Sequence, residues 1–280
     1  MSGDYDVKRI CTELHVSRSG YYQWRQRQRC PSARATADVQ LRGQIEAVHR
    51  ENEAVYGSPR ITRALVARGV KCGRRRVARL MRLARIVGRS KRRFCPATTD
   101  SRHSGPIAPH RLLSAPPPTR CDQVWVTDIT YVRTLRGWSY LAGVMDLYSR
   151  RIVGWALGVT LDTTLVRAAL QVALRQRAPT PGLIVHSDRG VQFASNEYRQ
   201  LLQRHHLLAS MSRRANCYDN AAMESFWSTL KMECLYRHRF VTATEARHAI
   251  FRFVEGFYNS RRLHSSLNYS SPLDFESVST

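Results

Sequence analysis

The sequence predicts an α/β domain built on a mixed five-stranded sheet flanked by helices, and this domain is preceded by small all-α regions. Before residue 95 the apolar residues recur at helical spacing. From Val124 onward three β-rich runs follow one another, after which strands and helices alternate and two helices close the chain. An order of this kind is typical of one sheet covered by helices, within a domain of residues 120 to 280.

The first segment, residues 1 to 30, has the outline of a helix-turn-helix. Apolar residues line one face of a predicted helix over 6 to 14, and Ser17 is a suitable N-cap for a second helix over 18 to 28. The outward arginines of the second helix suit DNA phosphates. A basic helical hairpin that docks on the rest of the protein explains the pattern equally well.

The second segment, residues 31 to 95, is a second predicted helix-turn-helix-like region. A helix through Leu41, Ile45 and Val48 precedes a turn at 56 to 60, where Ser58 is a possible N-cap and Pro59 opens the next helix. Gly69 ends that helix, and another follows over 74 to 83. The arginines that open this last helix are predicted to contact DNA: Arg74, Arg75 and Arg76.

A basic run and a segment rich in Pro, Ser and Thr separate the helical regions from the sheet, which predicts a linker over 96 to 119. Lys91, Arg92 and Arg93 lie just before it and are predicted to contact DNA. A solvated linker without that role explains the same composition.

The sheet domain opens with strands over 124 to 132, 140 to 148 and 151 to 158, which form an antiparallel meander. The pattern then predicts, in order, a helix over 162 to 177, a strand over 183 to 186, a helix over 195 to 206, a strand over 207 to 211, and helices over 221 to 236 and 244 to 259.

Charge is the strongest global signal, because 45 basic residues face 21 acidic ones for a net charge of +24. Residues 1 to 120 hold 26 basic and 8 acidic residues, so we expect the N-terminal part to hold a polyanion such as double-stranded DNA. No apolar run is long enough to span a membrane and no signal sequence opens the chain, which predicts a cytoplasmic, nucleoid-associated protein.

The seven cysteines are widely spread and predict free thiols. The weak alternatives for a zinc site are Cys11 with His15, and His205 and His206 with Cys217.

Three acidic residues stand out against this basic background. Asp128 lies in the first strand, Asp188 directly follows the fourth, and Glu224 lies in the first turns of a later helix. Ligands bind at the carboxyl ends of strands in such sheets. Carboxylates gathered there repel one another unless a divalent cation compensates their charge, which indicates metal-dependent phosphodiester chemistry. Asp146 is the main rival carboxylate, whereas Asp122 lies outside the strands, Asp162 suits a helix cap and His186 suits packing. Asp219 and Asn220 suit caps of the helix that carries Glu224, and Trp227 suits packing.

The order Asp, Asp, Glu with 35 residues between the last two resembles the DDE transposases and retroviral integrases, whose catalytic domain has the ribonuclease H fold. The resemblance is closest to the catalytic subunit, OrfB, of bacterial insertion-sequence transposases. It is carried by the sequences His186-Ser187-Asp188-Arg189-Gly190-Val191-Gln192-Phe193, Asn220-Ala221 through Glu224-Ser225-Phe226 to Lys231, Tyr258-Asn259-x-x-Arg262-x-His264, Tyr21-Tyr22-x-Trp24 and Tyr56-Gly57-x-x-Arg60-Ile61.

The resemblance implies a ribonuclease H-like core in which Asp128, Asp188 and Glu224 are both catalytic residues and metal ligands. Asp128 would bridge two Mg²⁺ ions, with Mn²⁺ as a possible substitute, while Asp188 and Glu224 would hold one each. Lys231, two helical turns after Glu224, would contact the DNA end. Arg189 and Arg262 are further predicted DNA contacts, although a polar C-terminal cap explains the segment around Arg262 equally well.

The resulting hypothesis is a transposase that cleaves and joins DNA at insertion-sequence ends. The alternatives are a nuclease of the same fold that stops at hydrolysis, and a DNA-binding regulator with an inactive core. The resemblance also implies a partner read from the upstream frame, of the OrfA type, or a frameshift fusion with it, and a homo-oligomer on DNA.

Overall fold

A computed structural model describes residues 6–30, 32–89, 106–113, 115–213 and 220–279. The chain divides into two compact units, residues 1–88 and 89–280. The segments over 1 to 30 and 31 to 95 were expected as separate regions, and the first unit contains nearly all of both. Lys91, Arg92 and Arg93 of the basic run lie outside the described residues.

The first unit is helical. Its helices are α1 (Val7–Glu13), α2 (Arg18–Arg29), α3 (Ala33–Glu51), α4 (Ser58–Ala67) and α5 (Arg74–Leu83). Ser17 caps α2 as predicted, since its hydroxyl accepts the Gly20 N–H at 3.1 Å. The side chains of Ile45, Ile61, Leu65 and Val77 are fully buried, so α3, α4 and α5 share one core. The helical spacing of apolar residues correctly predicts this core.

The second unit contains the predicted mixed five-stranded sheet. Its strands are β1 (Val124–Thr134), β2 (Gly137–Asp146), β3 (Ile152–Gly158), β4 (Ile184–Ser187) and β5 (Leu208–Met211). They lie in the order β3-β2-β1-β4-β5. The first three form the antiparallel meander, and β4 and β5 continue the sheet in parallel with β1. The predicted ribonuclease H-like fold is confirmed, with the strands close to their expected positions.

Helices cover the sheet. They are α6 (Thr163–Arg177), α7 (Val191–Ala194), α8 (Asn196–Arg204), α9 (Ala221–Glu233), α10 (Ala243–Phe253) and α11 (Pro272–Ser279). Helix α6 packs closely on β3, because a Cβ on Gly154 would lie 2.4 Å from the Ala169 carbonyl oxygen. Asp162 caps α6 as expected, since its Oδ1 accepts the Leu165 N–H at 3.1 Å. Glu276 joins α11 to the sheet domain through ion pairs with Arg151 and Arg177.

Part of the predicted linker packs against the sheet. The Arg111 backbone N–H donates to the Ser210 hydroxyl at 3.0 Å, and its side chain donates to the Ala209 carbonyl at 3.2 Å. Residues around 110 therefore cover the outer edge of β5, where an uncovered edge strand would expose unpaired backbone groups. The composition gave no indication of this contact.

Two further expectations concern membranes and cysteines. Across the described ranges, no helix combines the length and apolar character needed to cross a membrane. The cysteines described, among them Cys11, Cys72 and Cys234, are free thiols. Cys217, one of the weak zinc candidates, lies outside the described residues.

Candidate active site

Strand register brings the first two acids together. Val126 on β1 pairs with His186 on the parallel strand β4, and Asp128 and Asp188 each follow two residues later. Side chains two residues apart on a strand point to the same face, and paired strands lie roughly 5 Å apart. The two carboxylates therefore lie side by side at the carboxyl end of β4.

The turn after β4 holds the Asp188 side chain. The Gly190 N–H donates to Asp188 Oδ1 at 2.9 Å, and α7 begins at the next residue. Gly190 has a φ of −65°, which any residue can adopt, so its role is spatial. A Cβ at this position would lie 3.0 Å from Asp188 Oδ1 and would crowd the carboxylate.

Helix α9 reaches Asp128 through Trp227. The Trp227 indole Nε1–H donates to Asp128 Oδ2 at 3.0 Å, and the Ile129 backbone N–H donates to Asp128 Oδ1 at 2.8 Å. Gly143 is the β2 residue paired with Asp128, and a Cβ on it would lie 2.8 Å from the Trp227 ring. The glycine therefore leaves the space in which the indole lies over the sheet.

Glu224 lies one turn before Trp227 on the same helix, so both side chains lie on the face of α9 that approaches β1. The start of α9 is also attached to β1, since the Asn220 side-chain amide donates to the Thr127 carbonyl at 3.4 Å. Asn220 was expected to cap α9, and it occupies the N-cap position, but its side chain makes no capping hydrogen bond. Asp219, the other expected cap, lies outside the described residues.

Electrostatics indicates that the three acids share one neighbourhood. Burial, together with the negative charges of Asp188 and Glu224, raises the pKa of Asp128 to about 7, while the hydrogen bonds from Ile129 and Trp227 act in the opposite direction. Burial also raises the pKa of the Glu224 carboxyl above its usual range. Neighbouring negative charges raise the pKa of a carboxyl group. A site that binds a cation through several carboxylates is expected to show such a raised pKa before the cation binds.

The donor set suits a divalent ion in type and charge, because Mg²⁺ prefers carboxylate oxygens. Among the described residues, no group of three His, Cys, Asp or Glu side chains is placed to hold one metal ion. The negative charges of Asp188 and Glu224 nevertheless both act on the Asp128 carboxyl and raise its pKa.

Asp146, the rival carboxylate, has a structural role. It lies at the end of β2, an odd number of residues from Gly143, so it faces the side of the sheet opposite to Asp128. Its oxygens accept the N–H groups of Asp122, Tyr148 and Ser149 at 2.7 to 2.9 Å and thereby close the turn into β3. His186 is likewise fully buried and contacts the Ser210 hydroxyl, as its packing interpretation predicts.

The sequence predicts that Arg262 contacts DNA, but the structure places this residue inside the protein. Its side chain is buried and forms a bidentate ion pair with Glu233 on α9, at 2.7 and 2.6 Å. Asn259, in the same motif, bonds to both backbone groups of Ile152 on β3. The alternative interpretation, a polar C-terminal cap, therefore describes this segment, because the Arg262 guanidinium is buried against Glu233.

The other predicted DNA contacts differ in their surroundings. Arg74 and Arg75 are exposed in the first turn of α5, whereas Arg76 is half-buried and pairs with Asp38 on α3. The hydrogen bonds from Arg79 and Arg76 lower the pKa of Asp38. Arg76 thus joins two helices, which the sequence pattern did not reveal.

In the second unit, Arg189 is half-buried, and its Nε–H donates to the Ser212 carbonyl at 2.8 Å. Lys231 lies partly exposed on α9, two turns beyond Glu224. The interpretation of Trp227 as a packing residue does not predict its hydrogen bond to Asp128. The signal available in the sequence was its spacing, because residues three apart share one face of a helix.

The raised pKa of Asp128 predicts a pH-dependent effect of Asp128→Asn on stability. The fold holds a proton on this carboxyl up to about pH 7, whereas the ordinary pKa is 3.8. The protonated Asp128 carboxyl thus makes its full contribution to the free energy of unfolding below about pH 4, and this contribution is lost as the pH rises through 7. Asparagine avoids this loss, so without divalent metal the variant should be more stable by up to about 4 kcal/mol at pH 8 and by less than about 2 kcal/mol at pH 5.

Urea denaturation at the two pH values measures this difference. Glu197→Gln on α8 is the control, because Glu197 is exposed and lies outside the acid cluster. A variant less stable than the unmodified protein at pH 8 would show that the hydrogen bonds of the Asp128 carboxylate outweigh the charge repulsion.

Comparison with known proteins agrees with this architecture. The integrase core domain family matches residues 118–217, a second integrase core domain family matches residues 206–272, and an HTH-like domain family matches residues 36–94. The chain is 45% identical over 266 residues to the insertion element IS600 uncharacterized 31 kDa protein of Shigella sonnei, covering 95% of this chain and 97% of that protein.

The chain is also 36% identical over 273 residues to the transposase InsF for insertion sequence IS3A of Escherichia coli K12, covering 98% of this chain and 94% of the relative. Among solved structures, a simian T-cell lymphotropic virus intasome in complex with a PP2A regulatory subunit aligns with 83% of this chain and 74% of that one, at 13% identity and a TM-score of 0.49. The HTLV-2 integrase catalytic core domain in complex with magnesium aligns with 56% of this chain and 98% of that one, at 14% identity and a TM-score of 0.43.

Proposed function

This chain belongs to the insertion-sequence transposases, and from that premise we propose that Asp128, Asp188 and Glu224 are the catalytic acids with which it cleaves and joins DNA at the ends of its element. The observation that carries the proposal is the neighbourhood of Asp128. Its pKa is raised to about 7 by burial and by both other acids, although the chain around it is strongly basic. Repulsion of this kind is costly to a fold and is typical of functional sites.

The proposal includes two divalent ions, Mg²⁺ or in its place Mn²⁺, which Asp128, Asp188 and Glu224 would hold. Such ions would activate an attacking oxygen and stabilise a leaving oxygen during in-line displacement at phosphorus. The role of the protein is to fix the acids. The Gly190 N–H holds Asp188, and the Trp227 indole holds Asp128. Glu224 is carried by the same helix as Trp227, three residues earlier.

The reaction follows in two displacements at phosphorus. Water first attacks the phosphodiester at an element end, and the leaving group is a 3′ hydroxyl. That hydroxyl then attacks another phosphodiester, whose own 3′ oxygen leaves. Each step exchanges one phosphodiester bond for another bond to phosphorus, so no nucleotide cofactor is required.

DNA binding by this chain is expected to be strongly salt-dependent and weakly selective for sequence. The exposed arginines Arg74 and Arg75 open α5 within the part matched by the HTH-like domain family, and Arg189 and Lys231 lie on the catalytic domain. Phosphate contacts release counterions, so the logarithm of the binding constant falls linearly with the logarithm of salt concentration. Fluorescence anisotropy with a labelled duplex measures this slope, and equal affinity at roughly 50 mM and 200 mM salt would contradict it.

Assembly belongs to the proposal as well. We expect the chain to act as a homo-oligomer on DNA, together with an upstream-frame OrfA-type protein or as a frameshift fusion with it. Size-exclusion chromatography with light scattering, with and without DNA and the upstream-frame product, tests this expectation.

The test of the function is incubation of the protein with labelled DNA that carries the end of its own element, with magnesium or with a chelator. Magnesium-dependent nicks at the end, followed by joined products, are the expected result. Nicks without joining, even when the upstream-frame product is added, would favour a nuclease of this fold. Binding without any metal-dependent product would favour a regulator with an inactive core.

A further inference from the structure

A basic cleft lies in the second unit beyond the C-terminal end of α9. Its volume is about 510 Å³. The charged and imidazole side chains that line it are Arg237, His238, Arg239, Glu245, His248 and Arg252. Three guanidinium groups thus face a single carboxylate, and the acid cluster around Asp128 uses none of these residues.

The single carboxylate of the cleft is already engaged. Glu245 Oε2 accepts the Val241 N–H at 2.8 Å, and the Glu245 N–H donates to the Thr242 hydroxyl at 3.3 Å. Thr242 is the N-cap of α10, so both hydrogen bonds attach Glu245 to the start of this helix. Its remaining charge cannot neutralise three arginines, so the cleft keeps a net positive charge.

Arg239 and Arg252 are the side chains best placed to take a ligand. Both are exposed, and within the described ranges neither forms a hydrogen bond or an ion pair with the protein. Arg237 has a different environment, because its Nη1–H donates to the Glu233 carbonyl at 3.4 Å. Guanidinium groups that converge on one cleft can each take two phosphate oxygens in a bidentate contact.

The position of the cleft relative to Glu224 suggests the ligand. Glu224 and Glu233 are nine residues apart on α9, which is about 14 Å at a rise of 1.5 Å per residue. Lys231 lies between them, and Arg237 follows the helix by four residues. A distance of about 14 Å corresponds to roughly four base pairs at 3.4 Å each. DNA that ran along α9 from Glu224 would pass Lys231 and then reach the cleft.

We propose that the cleft formed by Arg237, Arg239 and Arg252 binds the phosphodiester backbone of the DNA beside the cleavage site. The proposal rests on the proposed function, because it takes Glu224 as the mark of the cleavage site. It adds a DNA contact surface on the catalytic domain to the contacts already expected from Arg189, Lys231 and the arginine-rich helices of the first unit. Contacts to phosphate carry no sequence information, so the cleft fixes the position of the DNA and does not select its sequence.

The first experiment compares two double variants of the full chain. Arg239→Gln with Arg252→Gln removes two charges from the cleft, and Arg175→Gln with Arg204→Gln removes two exposed charges from α6 and α8, which do not line it. Binding of an element-end duplex and of an unrelated duplex is measured by anisotropy across a salt series. The salt slope is the slope of the logarithm of the binding constant against the logarithm of salt concentration. Its magnitude should fall by about two for the cleft variant on both duplexes, because each phosphate neutralised by an arginine contributes roughly 0.9 to it.

The control variant should keep nearly the full slope. An equal fall in both variants would overturn the proposal, because the effect would then follow overall charge. An unchanged slope in the cleft variant would also overturn it. Thermal unfolding of both variants should match the unmodified protein, since all four side chains are on the surface.

A second experiment locates the DNA. Tyr236 and Phe251 are sequence neighbours of the lining residues Arg237 and Arg252 and are 71% and 57% exposed. Either is replaced by the photo-crosslinker p-azidophenylalanine, and Val278, which is 88% exposed on α11, is the control position. Crosslinks to the element-end duplex are expected from the first two positions, a few base pairs from the nick, and not from the third.

The two proposals can fail separately. Crosslinks and a reduced slope from a chain that makes no magnesium-dependent nick would keep the cleft as a DNA site and refute the proposed chemistry. Nicking and joining with an unaltered slope and no crosslink would refute the cleft alone.

Discussion

Glu224→Gln should reduce magnesium-dependent nicking and joining by roughly a thousandfold or more, equivalent to about 4 kcal/mol of activation free energy. Glutamine keeps the length of the side chain and its position on α9, but it removes the negative charge with which the side chain would bind a cation. Asp128→Asn should have at least the same effect, since Asp128 neighbours both other acids. Both variants are assayed as initial rates on an element-end duplex.

Binding and catalysis should separate in these variants. DNA affinity at fixed salt should stay within a fewfold, because the change is confined to the acid cluster and leaves the arginines in place. Glu197→Gln, an exposed glutamate on α8, is the matched control and should keep the full rate. If Glu224→Gln kept the rate of the unmodified protein, the acid cluster would not be the active site, whatever the family.

The sequence predicts the sheet well because its strands depend on local pattern. Alternating and continuous apolar runs mark the strands, and the parallel pairing of β1 with β4 then places Asp188 beside Asp128. Asp162 and Ser17 are predicted as caps for the same reason, since a cap depends only on its near neighbours.

What the sequence does not predict depends on distant partners. Arg76 and Arg262 have the composition of DNA contacts, yet each finds a carboxylate far along the chain, Asp38 and Glu233. The sequence around Trp227 predicts only a packing residue, because it does not show that Gly143 leaves room for the indole ring beside Asp128. An arginine that binds phosphate and one that binds glutamate use the same fork of donors, so composition cannot separate them.

Loss of the buried ion pair between Arg262 and Glu233 should have a large effect on the stability of the protein. Both side chains are about 5% exposed, and two hydrogen bonds of 2.7 and 2.6 Å join them. Arg262→Ala leaves the Glu233 charge buried without its partner, so we expect a loss of about 3 to 5 kcal/mol in the free energy of unfolding of the second unit. The midpoint of thermal unfolding should fall by roughly 10 °C for a domain of this size.

The position of Glu233 extends the effect to the active site. Glu233 ends α9, the helix that carries Glu224 and Trp227, and Arg262 lies in the motif that also binds β3 through Asn259. This motif therefore attaches the helix with the third acid to the sheet with the first. We expect Arg262→Ala to lower the nicking rate even at temperatures where the protein stays folded, while the salt slope of DNA binding stays the same.

Two control variants test whether Arg262 acts through its ion pair with Glu233. Arg261→Ala, at the exposed neighbouring position, should cost less than about 1 kcal/mol. Replacing both partners, with Arg262→Met and Glu233→Leu, should recover most of the stability, because two apolar side chains of similar volume leave no unpaired charge. A salt slope reduced by about one in Arg262→Ala, without loss of stability, would instead return Arg262 to the DNA contacts and refute its role in attaching α9 to β3.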